Sequence, residues 1–229
     1  MLIHFHIITL FPEALTSYLD ASIVGRARRE KKIKVSFYNP RDFTTEKHAR
    51  VDKKPYSGGP GMVLQAEPIL RAVKKALSKC RKLENAVETA PTKFPKPVIY
   101  FLEADGAQFD NEQASKLAKK VNDIIIICGH YEGIDARVVK ILKAKPLSVG
   151  PYILTGGELP ALIIIDAISR QVKGVLGNFA SIEEKRVVTS EVYTRPEIFR
   201  FEGKNYRVPK VLLSGDHKKI EEWKRSKKK

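Results

Sequence analysis

The sequence predicts an α/β fold: a mostly parallel sheet followed by a small C-terminal appendage. Three observations predict it. Short β-branched runs alternate with stretches of helical periodicity over most of the chain. "DIIIIC" (Asp123–Cys128) is continuous in isoleucine, as a strand buried on both faces requires. After Val175 the alternation stops, and a polar, poorly periodic stretch leads to a tail too short to bury much alone. Residues 1–176 therefore read as one domain, 177–190 as a linker, and 191–229 as a small helical unit that needs a partner surface.

The elements follow in order. "IHFHIITL" (Ile3–Leu10) reads as a buried strand. "FPEALTSYLDASIVGRARREK" follows, with Pro12 at a helix start and apolar residues at helical spacing. "IKVSFY" alternates as a strand should. The run "NPRDFTTEKHARVDKKPYSGGPGM" is polar, rich in Gly and Pro, and far longer than a usual connection. Such a loop in a compact domain is functional or disordered. "AEPILRAVKKALSKCRK" puts Ile69, Val73, Leu77 and Cys80 on one helical face. "NAVETAPTKFPK" reads as a surface connection. "PVIYFLEADG" is a strand and its exit, and "NEQASKLAKKV" is a helix with Ala114, Leu117, Ala118 and Val121 inward. "DARVVKILKA" is a short helix, and "PLSVGPYILTGGELP" mixes strand with turns. "ELPALIIIDAISRQV" is an apolar helix suited to an interface or a deep core.

Composition bounds the function. The 229 residues carry 42 Lys+Arg against 26 Asp+Glu, a net charge of +16. That excess favours a polyanionic partner, most simply nucleic acid. Basic residues cluster in "RAVKKALSKCRK" and in the tail "HKKIEEWKRSKKK". No apolar run approaches the roughly 20 residues of a membrane helix. Met1 leads straight into "LIHFHIITLF" without a signal-peptide pattern, so the expected location is cytoplasmic. Two cysteines make no disulfide framework and lack metal-site spacing.

Three segments share one form: a buried strand ends and a Gly- or Pro-marked turn follows. They are "FLEADG", "CGHYEGID" and "SVGPYILTGGELP". Ligands in parallel α/β sheets sit beyond the carboxyl ends of strands, and glycines let main-chain groups reach them. One such turn alone would be only a turn; three together favour a ligand site, suited to an adenine-like group. Neither GxGxxG nor GxxxxGK[ST] occurs, which leaves Rossmann and P-loop readings unsupported. "KPYSGGPGM" (Lys54–Met62) fits a phosphate-binding nest or a mobile lid equally well.

Nine segments then stand in one order: "ITLFPE", "GRA", "NPRDFT", "VDKKPYSGGPGM", "CGHYEGIDARV", "SVGPYILTGGELPA", "GVLGN", "YTRPE" and "VPKVLLSGDH". Together they resemble the TrmD family, the bacterial tRNA (guanine-N1)-methyltransferases, from Ile8 to about Trp223. The resemblance implies a deep trefoil knot that binds S-adenosylmethionine, and a homodimer acting on tRNA with Mg²⁺. The expected product is guanine methylated at N1, just 3′ of the anticodon. By matching positions, Phe101, Leu102, Gly129, Tyr131, Val149, Gly150, Pro151, Tyr152, Ile153, Leu154, Gly156, Gly157 and Pro160 are cofactor-pocket candidates. The tRNA candidates are Arg28, Arg41, His48, Asp52 and the Lys54–Gly61 loop, with Arg195, Ser214, Asp216 and His217 in the tail unit.

Guanine N1 carries a proton at neutral pH, so a general base must remove it as the methyl group is attacked. Charge then grows on O6, where a fixed cation lowers the barrier. The resemblance places Arg170 of "AISRQ" in the second role; read alone, it is a helix-surface ion-pair residue. The family's linker aspartate falls on Lys185 here, and a lysine is a poor base unless desolvated. Glu184, or next Glu183, is the expected substitute. Glu132 matches a carboxylate with an electrostatic or metal-linked role, or else caps the following helix. His130 stands where the family usually has Arg, and Pro151 where it often has Asp. Asp135 and Arg137 read as structural, with Arg137 free to pair within a dimer or with RNA.

Overall fold

The computed structural model describes residues 2–80, 96–177 and 191–227. They fall into two compact units, residues 1–175 and 176–229.

The first unit is built on a five-stranded parallel sheet. Its strands are β1 (Ile3–Ile8), β2 (Ile33–Tyr38), β5 (Val98–Gln108), β6 (Asp123–Ile127) and β7 (Lys145–Ser148), in the order β2-β1-β6-β5-β7. β3 (Asp52–Lys53) and β4 (Val63–Leu64) form a small antiparallel pair in the long polar loop. β6, the isoleucine run, is buried throughout, as a central strand covered on both faces must be.

Helices cover both faces. On one side lie α1 (Glu13–Asp20), α2 (Ser22–Arg29), α4 (Asn111–Lys120) and α6 (Glu158–Ser169), packed on Ile3, Phe5, Ile7, Ile124 and Ile126. On the other lie α3 (Ala66–Lys79) and α5 (Arg137–Leu142), packed on Ile8, Ile125 and Ile127. The alternation of β1 and β6 residues between these two cores is the period-two geometry of a strand.

Local sequence explains the element ends. The stretch after Pro12 is two helices, because Ala21 is extended (φ −92, ψ 156) and ends α1. Asp110 caps α4 by accepting the Gln113 N–H at 2.7 Å. Cys80, expected on the α3 face, is the residue that closes the helix. β5 runs further than "PVIYFLEADG" suggests. It pairs with β7 at Leu102 and again at Ala107, and the four residues between bulge out. The Gly106 backbone presses there on Leu147, where an added Cβ would lie 2.5 Å from the Leu147 nitrogen.

The second unit holds a hairpin as well as the expected helices. It opens with an exposed hairpin, β8 (Ile198–Phe201) and β9 (Lys204–Arg207), before α7 (Lys210–Leu213) and α8 (His217–Ser226). Glu202 and Gly203 both have positive φ (48 and 74), the signature of a tight two-residue turn. Asp216 caps α8 through the Lys218 and Lys219 N–H groups. Among the described residues, no helix is long and apolar enough to cross a membrane.

Candidate functional site

Three strand ends converge on one cavity of about 230 Å³. The ends of β5, β6 and β7 supply it, together with the turn into α6. All the cofactor-pocket candidates line it except Pro151, which is exposed in the same turn and stands outside the lining. Leu102, Ile153 and Pro160 give it apolar surface, while the glycine turns offer main-chain groups.

The chain has to return on itself to make this cavity. After β7 it crosses back to the end of β6, where His130 bridges Gly156 and the Gly157 N–H donates to the Gly129 carbonyl at 3.0 Å. The approach is tight: a Cβ on Gly157 would lie 2.6 Å from Cys128 Cα. Only glycine lets these two segments touch. Tyr131, at the mouth, has φ 61, a left-handed conformation that costs a non-glycine residue about 1 kcal/mol.

A hydrogen-bonded chain fixes the β6 turn from behind. Thr9 Oγ1 donates to Glu158 Oε1 at 2.5 Å, and His130 Nε2 lies 2.7 Å from Glu158 Oε2. The Phe11 ring meets His130 edge-on at 4.8 Å, and Arg41 stacks over Phe11 at 5.5 Å. Thr9 and Glu158 were not among the expected site residues. Their pairing spans 149 residues of sequence, and no local pattern announces it. Cys128, at the end of β6, is fully buried, and burial raises its thiol well above the ordinary range.

Glu132 is exposed at the cavity mouth, with its side chain against Gly61 of the glycine-rich loop. Its N–H donates to the Met62 carbonyl at 3.0 Å. Glu132 also lines a neighbouring groove of about 1250 Å³ carrying Lys53, Lys54, Arg71, Lys74 and Arg137. That groove joins the glycine-rich loop to one basic cluster seen in the sequence. Arg137 holds Asp135 in a two-point pair at 2.9 and 2.5 Å, which keeps the Asp135 carboxyl below the usual carboxylate range. The sequence suggests a helix-dipole role for Asp135 and a dimer or RNA contact for Arg137; here the two pair with each other.

The other expected residues are dispersed. Arg41, His48 and Asp52 line one surface hollow. Arg28 is ion-paired with Asp20. Arg170 ends α6, while Gly157 and Pro160 at its other end line the cavity. The 12 residues of α6 separate Arg170 from Gly157, about 20 Å at the α-helical rise. In the second unit Ser214 donates to the Val211 carbonyl at 2.8 Å, His217 opens α8, and Arg195 lies exposed before the hairpin. Glu183 and Glu184 lie outside the described residues.

Comparison with known proteins identifies the family. The family model described as tRNA (Guanine-1)-methyltransferase TrmD matches residues 3–229. The chain is 44% identical over 225 residues to the tRNA (guanine-N(1)-)-methyltransferase of Clostridioides difficile (strain 630), covering 96% of this chain and 90% of that protein. It is 40% identical over 224 residues to the protein of the same name from Alkaliphilus oremlandii, covering 96% and 85%. The crystal structure of the tRNA (m1G37) methyltransferase from Aquifex aeolicus matches with a TM-score of 0.75 at 36% identity, covering 98% of this chain and 88% of that one. This chain belongs to the TrmD family of tRNA (guanine-1)-methyltransferases.

Proposed function

We propose that the chain transfers the methyl group of S-adenosylmethionine to N1 of the tRNA guanine at position 37, the position for which the Aquifex aeolicus enzyme is named. The observation that carries this reading is the cavity of three glycine-marked strand ends, set beside a basic groove that shares Glu132 with it. An adenosine group suits the cavity, which pairs apolar side chains with main-chain donors and acceptors. The return of the chain from β7 to the end of β6 supports a trefoil knot at this point.

S-adenosylmethionine supplies an electrophilic methyl group when bound. The chain's residues do the rest. The turns at Gly129 and Gly150–Gly157 hold the cofactor, and the basic groove brings the tRNA backbone to Glu132. Glu184 of the linker, or Glu183 in its place, removes the N1 proton. Arg170 opposes the charge that develops on O6. Glu132 suits Mg²⁺, which takes one or two carboxylates and keeps its waters, and the ion would add positive charge near the base. Arg28, Arg41, His48, Asp52, Arg195, Ser214 and His217 complete the tRNA contacts.

The reading includes a homodimer. Arg170 stands too far along α6 to reach the cavity of its own chain, so a second copy has to supply it. The same helix exposes Leu159 and Ile163, 56% and 39% accessible, as apolar surface for that copy.

The test is direct. Unmodified tRNA transcripts are incubated with the chain, Mg²⁺ and labelled S-adenosylmethionine, and the modified nucleotide is mapped. Label at guanine N1 beside the anticodon is expected when a guanosine precedes that position. Label on another base, on ribose, or on none at all would overturn the reading.

A further inference from the structure

The opposite end of the central strands holds a polar cluster that the cofactor cavity does not use. β1, β2 and β6 are parallel, so their starts lie away from the cavity. On the face toward α3, β1 presents His4 and His6, and β6 presents Asp123 in register with His4. All three are buried, at 6%, 0% and 4% accessible. Apolar patterning would fill these positions with isoleucine, as it does further along the same strands. Ionisable groups there are costly unless something compensates them.

The distances define what could compensate. His6 Nε2 stands 3.0 Å from Asp123 Oδ1, and His4 Nδ1 stands 3.7 Å from the same oxygen. One ligand atom from each of the three falls within 4.8 Å of the others. Cys80, closing α3, stands beside this group rather than within it, with Sγ 3.7 Å from His6 Nε2. A tetrahedral zinc ion, with bonds of about 2.0–2.3 Å, separates its ligand atoms by about 3.3–3.6 Å. The remaining imidazole nitrogens are also engaged: His4 Nε2 with Ser36 Oγ at 2.9 Å, and His6 Nδ1 with the Tyr38 hydroxyl at 3.0 Å. Metal-bound histidines are oriented by such outer contacts.

We infer that His4, His6 and Asp123 form a buried structural site for a divalent transition-metal ion, which Cys80 closes by turning its thiolate in from beside His6, with zinc the best match to two imidazoles, a carboxylate and a thiolate. Two neutral imidazoles, one carboxylate and one thiolate balance the ion's charge, so the buried site carries no net charge. Cys80 releases its thiol proton to solvent as the metal binds. Four protein ligands leave no position for a substrate. The ion ties β1 and β6 to the end of α3 and takes no part in methyl transfer.

The test uses the full chain without an affinity tag, stripped by chelator and titrated separately with Zn²⁺ and Co²⁺. One equivalent of either should bind and raise the thermal midpoint. The Co²⁺ form should show tetrahedral visible bands and a near-ultraviolet thiolate charge-transfer band. Cys80→Ser should lose the charge-transfer band and bind at least about ten-fold more weakly. Asp123→Asn should lose the metal-dependent rise in midpoint. Should Asp123→Asn fail to fold, Tyr38→Phe, which removes only an outer contact, should still weaken binding by about ten-fold. Failure to bind either ion would overturn the site and leave a hydrogen-bonded polar cluster. So would binding undiminished by these substitutions, or a Co²⁺ complex without the charge-transfer band.

Discussion

Glu158 shows how much one side chain can govern at the residue scale. It is 8% accessible and sits in the first turn of α6, where a carboxylate also suits the helix dipole. Its two oxygens engage Thr9 and His130, so it joins β1 to the turn that holds Gly129. Glu158→Ala strands both partners and should cost about 1–3 kcal/mol of stability. S-adenosylmethionine binding should fall roughly ten-fold, since about 1.4 kcal/mol is one decade. Glu158→Gln keeps an acceptor for Thr9 and should cost clearly less. Denaturant midpoints and calorimetric cofactor titration check both, and equal effects from the two changes would contradict this account. The linker carboxylates are tested by rate. Glu184→Gln should slow single-turnover methylation by about 10²–10⁴-fold, with Glu183→Gln near wild type. Near-wild-type rates in both would remove the carboxylate base, and the reverse order would move the role to Glu183. Sequence reading reached a ligand site here because glycine turns at strand ends leave a local signature, whereas the individual cavity residues came from the family resemblance. It missed Glu158 because that role exists only when Thr9 arrives from the other end of the domain.

At the scale of elements, two glycines in one cavity separate folding from binding. Gly157 packs against the backbone of Cys128 and Gly129, which cannot retreat without moving β6. Gly129 has ordinary van der Waals room for a Cβ, the nearest atom being a Phe101 ring carbon at 3.6 Å. Gly157→Ala should therefore lose about 1–3 kcal/mol of stability, and cofactor binding with it. Gly129→Ala should keep its melting temperature and lose cofactor affinity, because Gly129 lines the cavity and added bulk there competes with the ligand. Thermal melts with and without S-adenosylmethionine distinguish the two, and a Gly129→Ala variant that binds normally would displace Gly129 from the pocket. The same scale shows what periodicity can and cannot find. The parallel sheet was legible because β6 is uniformly β-branched and the helices keep an apolar stripe. The hairpin of the second unit was not, although "EG" between "IFRF" and "KNYR" is a two-residue turn between short alternating runs. Both its strands are exposed, so neither carries the buried run that marks the other strands. The contact of Gly156 and Gly157 with the end of β6 leaves no periodic trace, since it joins segments far apart in the sequence.

For the whole molecule, the decisive question is whether one chain can make a complete site. The cavity and Glu132 belong together, whereas Arg170 lies about 20 Å from the cavity end of α6. The proposed symmetric dimer would resolve this by giving each cavity the other chain's Arg170, with two equivalent sites. Subunit mixing tests the arrangement. Arg170→Ala and Glu132→Gln homodimers should each be nearly inactive, since every site lacks one group. A heterodimer of the two has one doubly defective site and one intact site, built from the Glu132 of one chain and the Arg170 of the other. Random reassociation makes about half of all dimers mixed, so activity should return to about a quarter of wild type. If instead each chain completes its own site, every site in the mixture stays defective and no activity returns. The recovered fraction, read by methyl transfer to tRNA after unfolding and refolding the two variants together, therefore decides between a shared site and a self-contained one.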